Sequence, residues 1–201
     1  WANYREAKAD LLSRTVVALN EAGKIPLFSC SGGTTANTVA KCPNQAGEWP
    51  EEDYLATIRK KSNGGIYLRF YESFMGFGCE DIDCWANWLQ NAIWETSVGL
   101  PFTIRWDMGM NNASDAWLEF GMAAFFMAQG PYCYFGAAAN WYDKDWHWHR
   151  QYDWKVGAPK GPAVRDGRYQ WHRKFEKCTV AIDLQRRSSN FSWPGQAGPP
   201  H

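Results

Sequence analysis

Two acidic residues stand where an enzyme built on a parallel sheet would use them. Glu72 follows the apolar run Ile66 to Tyr71, and Asp107 follows the run Pro101 to Trp106, so each carboxyl falls directly after an expected strand. Neighbouring strands lie about 4.8 Å apart, which brings two such carboxyls within the roughly 5–9.5 Å that glycoside hydrolysis requires. That chemistry needs one carboxyl as proton donor and the other ionised as base or nucleophile, and aromatic neighbours such as Tyr71, Phe74 and Trp106 would desolvate one of them. The competing reading is structural: acids near strand ends also cap helices or pair with arginines such as Arg69 and Arg105.

Aromatic residues add a second chemical signal. Thirteen tryptophans are more than a core of this size needs, and Trp141, Trp146, Trp148 and Trp154 lie in a segment crowded with charges. With Trp106, they are candidate surfaces for stacking against sugar rings; packing over one end of the fold is the alternative. His147-Trp148-His149, with Asp143, Asp145 and Asp153 nearby, has the donors for a metal but lacks a third ligand at a recognisable spacing, so no metal is assigned. Ser31-Gly32-Gly33-Thr34 lacks the P-loop lysine, no Gly-x-Gly-x-x-Gly follows a strand, and no Gly-x-Ser-x-Gly elbow is present. No cofactor is implied.

Six cysteines make an even count without paired CxxC knuckles, which favours disulfides over a zinc ribbon. Proximity suggests Cys79 with Cys84 and Cys30 with Cys42, leaving Cys133 with Cys178 by elimination. Asn112-Ala-Ser and Asn190-Phe-Ser are glycosylation sequons. Together these features suggest a secreted, extracellular protein.

The elements that would position the carboxyls follow a regular rhythm. Tyr4, Leu11, Leu12, Val16 and Leu19 predict a helix stopped by Gly23; Ile25 to Cys30 predicts a strand; and Pro50 to Lys61 carries the charge asymmetry of a helix. After the strand Ile66 to Tyr71, a helix from about Asp83 presents Trp85, Trp88, Leu89, Ala92 and Ile93 on one face. The strand Pro101 to Trp106, an almost wholly apolar helix from Asp115 to Gln129 capped by Ser114, and a strand Pro131 to Phe135 complete the series. Four βα units repeat every 30 to 41 residues through residue 139, as in half of a (β/α)8 barrel. Residues 140–184 read as an aromatic-rich loop and terminal hairpin of the same domain, and residues 185–201 as a tail.

Composition bounds the function. The 201 residues are 45% hydrophobic and 21% charged, with 21 basic and 21 acidic side chains, so a core is available but there is no cationic footprint for nucleic acid or an anionic membrane. The longest apolar stretch, around Phe120 to Met127, is too short to cross a bilayer.

The run Val156-Gly-Ala-Pro-Lys-Gly-Pro162, then Asp166-Gly-Arg-Tyr169, His172-Arg-Lys-Phe175 and Thr179-Val-Ala-Ile182, resembles the closing segment of a glycosyl-hydrolase-like (β/α)8-barrel family. Gly65 to Glu72 resembles a strand of that family ending in an acidic residue, and Ala116 to Tyr134 resembles its apolar helix leading to a Tyr-Phe strand. The resemblance implies an extracellular barrel acting on polysaccharide, with Glu72 the best match to an acidic position of the family and Asp107 a less secure one. Cys178 departs from the family's Asn-Gly turn, and the remaining cysteines are additional.

The expectation is therefore a TIM-barrel-like α/β protein that hydrolyses or binds polysaccharide. Its rival is a non-catalytic carbohydrate-binding or structural glycoprotein of a matrix, appendage or filament. Because four parallel strands leave two unpaired edges and an inner face carrying residues such as Leu68, Phe70, Ile104 and Tyr134, another chain or a missing first half is expected to complete the barrel.

Overall fold

Helix α1 (Ala2–Glu21) ends where Gly23 turns left-handed at φ 68°, with the Lys24 amide donating back to the Leu19 carbonyl at 2.7 Å. The computed structural model describes residues 2–29, 57–72, 82–108, 114–139 and 147–195, the side chains of 2–5, 29 and 72 excepted. The buried stripe of α1 is Ala9, Ser13 and Val16, while Leu11, expected on the core face, is 65% exposed. Small residues win the interface because α2, described over 57–61, approaches closely: the Ser13 hydroxyl donates to the carbonyls of Ala9 (2.6 Å) and Ile58 (3.3 Å).

Strands β1 (Leu27–Ser29), β2 (Leu68–Glu72), β3 (Phe102–Asp107) and β4 (Tyr134–Ala138) form a wholly parallel sheet in the order β1-β2-β3-β4. Each strand lies beside its successor in sequence, so the order never reverses and the crevice of a doubly wound sheet does not arise. The fourth strand starts three residues later than expected. Pro131 and Tyr132 form a turn, with Tyr132 at φ 61°, and pairing with β3 draws Gly136, Ala137 and Ala138 into the ladder despite their poor strand propensity.

Helices α3 (Ile82–Ser97) and α4 (Asp115–Ala128) cover one face of this sheet. Ser114 caps α4 as expected, its hydroxyl accepting from the Trp117 amide at 3.2 Å. From Leu118 to Ala128 only Glu119 escapes full burial, because α4 has a sheet on each side. The second is antiparallel: β5 (Val164–Gly167), β6 (Gln170–Lys174), β7 (Thr179–Asp183) and β8 (Ser188–Ser192), in that order. The layering is thus parallel sheet, helices, antiparallel sheet.

This second sheet corrects the expected terminal hairpin and the tail from residue 185. Trp171, Val180, Ile182 and Phe191 alternate inward over α4, which gives β6, β7 and β8 a common apolar face. Ser-rich composition hid β8, yet Phe191 packs against Phe126 and Trp154 at ring-centroid distances of 6.0 and 4.8 Å. Arg173 locks the layers together: its guanidinium donates to the carbonyls of Phe126, Met127 and Gln129 at the end of α4 and to Gly161.

The cysteine pairing also needs correction. Cys133 and Cys178 are both free thiols. Cys133 sits just before β4 with Sγ 3.8 Å from the Pro131 carbonyl oxygen, whereas Cys178 is buried in the β6–β7 turn with Sγ 3.5 Å from the Thr179 carbonyl oxygen. Burial pushes the Cys178 thiol up to about 11, as expected of an inert core cysteine. Elimination misled because it required every cysteine to be paired. Cys84 is disulfide-bonded; Cys30, Cys42 and Cys79 lie outside the described residues.

Candidate functional site

The side chains of a strand alternate between faces, and in β3 that alternation is chemical as well as geometric. Phe102, Ile104 and Trp106 point into the helices and are 0% exposed; Thr103, Arg105 and Asp107 occupy the other face. Ile104 therefore belongs to the helix side, not to the inner face expected for it. In the ladder, Glu72 stands opposite Arg105, which stands opposite Gly136, and Asp107 stands opposite Ala138. Positions 72, 105 and 107 consequently share the face that carries no helix among the described residues, at the carboxyl ends of their strands.

Glu72 is the last residue of β2 and Asp107 the last of β3. The register sets them two residues apart along the strands and one strand apart across them, a Cα separation of about 8 Å. Arg105 lies directly opposite position 72 and on the same face of β3 as Asp107. Its Nη1 is 3.8 Å from Asp107 Oδ2, with the two side chains only 12% and 10% exposed. The Asp107 carbonyl oxygen accepts from the Trp117 indole N–H at 2.8 Å, so the end of β3 is tied to the first turn of α4. On the β4 side, a Cβ placed on Gly136 would meet no heavy atom of the described residues within 4 Å.

This arrangement realises part of the structural alternative, since Asp107 does pair with Arg105. It does not exclude chemistry, since Asp107 still ends its strand on the face that position 72 shares. Arg105 and Gly136 were not singled out from the sequence as site residues, although the strict apolar–polar alternation of Phe102-Thr-Ile-Arg-Trp-Asp107 carried the signal.

The five tryptophans proposed for sugar contact divide. Trp106 is buried on the helix face, its indole N–H donating to the Trp117 carbonyl at 3.1 Å and its ring centroid 4.8 Å from that of Trp117. It is a core residue and offers no face to a ligand. Trp154 is half-buried against Phe191 and Trp193. Trp148 is 59% exposed, with its indole N–H on Asp153 Oδ2 at 2.9 Å and its ring edge-on to Tyr152. It borders a groove of about 330 Å³ along the outer edge of β4, together with Tyr134, Phe135, Gly136 and Tyr152. The Tyr152 hydroxyl accepts from the Ala137 amide at 3.1 Å and so occupies one donor of that edge. Trp141 and Trp146 lie outside the described residues, as does Asn112; Asn190 is exposed on β8. His149 packs edge-on against Tyr152, and no group of three metal-ligating side chains occurs among the described residues.

A second charged cluster lies on the helix face. Arg69 and Glu95 are 2% and 0% exposed, 3.9 Å apart, and the Tyr71 hydroxyl donates to Glu95 Oε2 at 2.8 Å. Buried between β2 and α3, this group fastens the helix to the sheet.

Residues 102–179, from the start of β3 to the start of β7, match the model of a family described as hypothetical glycosyl hydrolase family 15. The matched stretch includes Arg105, Asp107 and Gly136 and leaves out Glu72. No curated protein matches the chain. The sequence's similarity to glycosyl hydrolases therefore rests on β3, α4, β4 and the first part of the antiparallel sheet.

Proposed function

We propose that the chain is part of a glycoside-hydrolase-like barrel protein that acts on polysaccharide through Glu72 and Asp107. The observation that carries this reading is the placement of both positions on the helix-free face, at the carboxyl ends of adjacent parallel strands in a sheet whose order never reverses. The family match over residues 102–179 supports it. In this reading, Glu72 protonates the glycosidic oxygen as the C–O bond breaks. Asp107, paired with Arg105, receives the proton of the attacking water or itself adds to the anomeric carbon. The Cα separation of about 8 Å is compatible with either course.

Completion of the barrel by further strands is part of the proposal. Leu27 on β1 and Tyr134 on β4 are 56% and 59% exposed, and both lie on the helix-free face. An extracellular setting goes with it, supported by the Cys84 disulfide and the exposed Asn190 sequon, though not by the two free thiols.

The test is turnover on a broad polysaccharide panel, with Glu72→Gln and Asp107→Asn compared with the wild type. Loss of most activity in each variant at unchanged melting temperature is expected. Turnover surviving both substitutions would overturn the assignment. The non-catalytic reading is favoured by the exposed Trp148 and predicts sugar binding without turnover in the wild type.

A further inference from the structure

The chain as a whole is neutral, but its charge is unevenly spread. Residues 147–195 hold ten lysines and arginines against four aspartates and glutamates, whereas residues 1–146 hold eleven against seventeen. At one end of the antiparallel sheet the β5–β6 and β7–β8 turns lie side by side, joined by the Leu184 amide donating to the Tyr169 carbonyl at 2.9 Å. Around these turns stand four exposed arginines, Arg165, Arg168, Arg186 and Arg187. Arg168 is paired with Asp83 at 3.0 Å and Arg186 with Asp183 at 3.9 Å, while Asp166 is turned to His172. Arg165 and Arg187 have no carboxylate partner among the described residues. Each is held against a ring instead, Arg165 at 4.8 Å from the centroid of Trp171 and Arg187 at 4.9 Å from that of Trp85. Arg187 also takes the left-handed backbone conformation at φ 52°, where glycine or asparagine is the usual residue. A long cationic side chain kept in strained backbone at an exposed turn points to a use beyond the turn itself.

We propose that this end of the antiparallel sheet binds a polysaccharide whose sugars carry carboxylate or sulfate groups. The inference rests on the hydrolase reading and deepens it by naming the substrate class. Chain order places the surface: α3 follows β2 and so begins at the carboxyl end of the parallel sheet, the end at which positions 72 and 107 stand. Asp83 and Trp85, in the first turn of α3, are the residues that Arg168 and Arg187 touch. The arginines therefore stand at the same end of the parallel sheet as the proposed chemistry. A guanidinium fork meets a carboxylate or sulfate with two parallel hydrogen bonds, and a ring beneath it holds the fork in place, so less freedom is lost when the anion arrives. An acidic polysaccharide presents such groups at regular intervals, which suits several forks on adjoining turns. The family match, which covers Arg165 and Arg168, favours a carbohydrate over the other common polyanion, a nucleic acid.

The experiment titrates the whole chain with polygalacturonate, dextran sulfate, neutral dextran and a single-stranded oligodeoxynucleotide, for the wild type, Arg165→Gln and Arg187→Gly. The wild type should bind polygalacturonate or dextran sulfate, and which of the two it prefers tells carboxylate from sulfate recognition. Affinity should fall as salt is raised. Each substitution should weaken binding roughly tenfold. Arg187→Gly should do so at an unchanged or raised melting temperature, because glycine adopts φ 52° without strain. Wild-type affinity in both variants overturns the inference, as does a lowered melting temperature with unchanged affinity, the mark of structural arginines. Should one variant fail to fold, the other decides by the same criterion. An oligodeoxynucleotide bound as tightly as the acidic polysaccharides overturns the carbohydrate assignment. Binding to neutral dextran alone, or to none of the four, overturns the inference while leaving the hydrolase reading to its own measure, turnover in the Glu72→Gln and Asp107→Asn variants.

Discussion

The two faces of β3 differ in almost every respect. On one, Phe102, Ile104 and Trp106 are sealed under α3 and α4; on the other, Thr103, Arg105 and Asp107 share a face with residues as exposed as Leu27 and Tyr134. The first face has apolar area and aromatic contacts but no ionisable side chain, and the second carries the Arg105–Asp107 pair, whose side chains are 12% and 10% exposed. One six-residue strand therefore divides stability from chemistry by alternation alone. Substitutions on the two faces should separate into changes that unfold the protein and changes that only alter what it does.

The largest effect is expected where Trp106 meets Gly121. A Cβ on Gly121 would lie 2.3 Å from the Trp106 ring, which is wholly buried and has nowhere to move. Gly121→Ala, normally helix-favouring by up to about 1 kcal/mol, should here destabilise, because overpacking costs about 1–3 kcal/mol. Trp106→Ala should cost about 3–5 kcal/mol. Urea denaturation of both variants checks the pair; a more stable Gly121→Ala would show that the helix face is not close-packed.

Next comes the join between α4 and the antiparallel sheet. Arg173→Met leaves three carbonyls at the end of α4 without their guanidinium partner and should cost about 2–3 kcal/mol. Hydrogen exchange should quicken first in the last turn of α4. Loss of protection spread evenly over all three layers would argue that Arg173 acts otherwise. Removal of the cap at the other end, Ser114→Ala, should cost about 1 kcal/mol by the same denaturation assay.

The open face should respond least in stability. Thr103→Val is expected within about 0.5 kcal/mol of wild type. A loss as large as that of Trp106→Ala would mean that this face, too, is core.

At the smallest scale, the Tyr169 hydroxyl donates to Asp83 at the start of α3 at 2.8 Å, and Arg168 adds its charge. The Tyr169 hydrogen bond, helped by Arg168, holds the Asp83 carboxyl below its ordinary 3.8; the same bond lifts the Tyr169 phenol above 10.0. Asp83 therefore supports the fold above pH 3.8, and that support is lost as pH falls through its folded value. Tyr169 does so below pH 10.0, with loss as pH rises through its own folded value. Tyr169→Phe should return the Asp83 carboxyl towards 3.8 in an NMR titration with the melting temperature nearly unchanged.

Much of the parallel sheet was legible because its signals are local. Gly23 needs only a left-handed backbone, Ser114 caps the helix three residues before the amide it accepts from, and the i, i+3, i+4 stripe of α3 reports a single buried side. The antiparallel sheet was less legible: β8 carries one large apolar residue, Phe191, whose partners Phe126 and Trp154 are 65 and 37 positions away. The candidate site was half legible. Glu72 and Asp107 could be placed at strand ends, but the face each occupies depends on register, and a shift of one residue would have turned Asp107 towards the helices and Trp106 outwards.

By itself the sequence determined the helix and strand order of the parallel layer, the polar and apolar alternation of β3, and the absence of a nucleotide-binding fingerprint, since each depends on neighbours a few residues apart. Only the tertiary structure decided that Trp106 is core, that Arg105 stands opposite position 72 on the face it shares with Asp107, and that Cys133 and Cys178 are free thiols. Those outcomes come from pairing between strands more than 25 residues apart and from α4 being enclosed by two sheets. No short window of sequence encodes them, because the partner that selects each face or contact is supplied by another part of the chain.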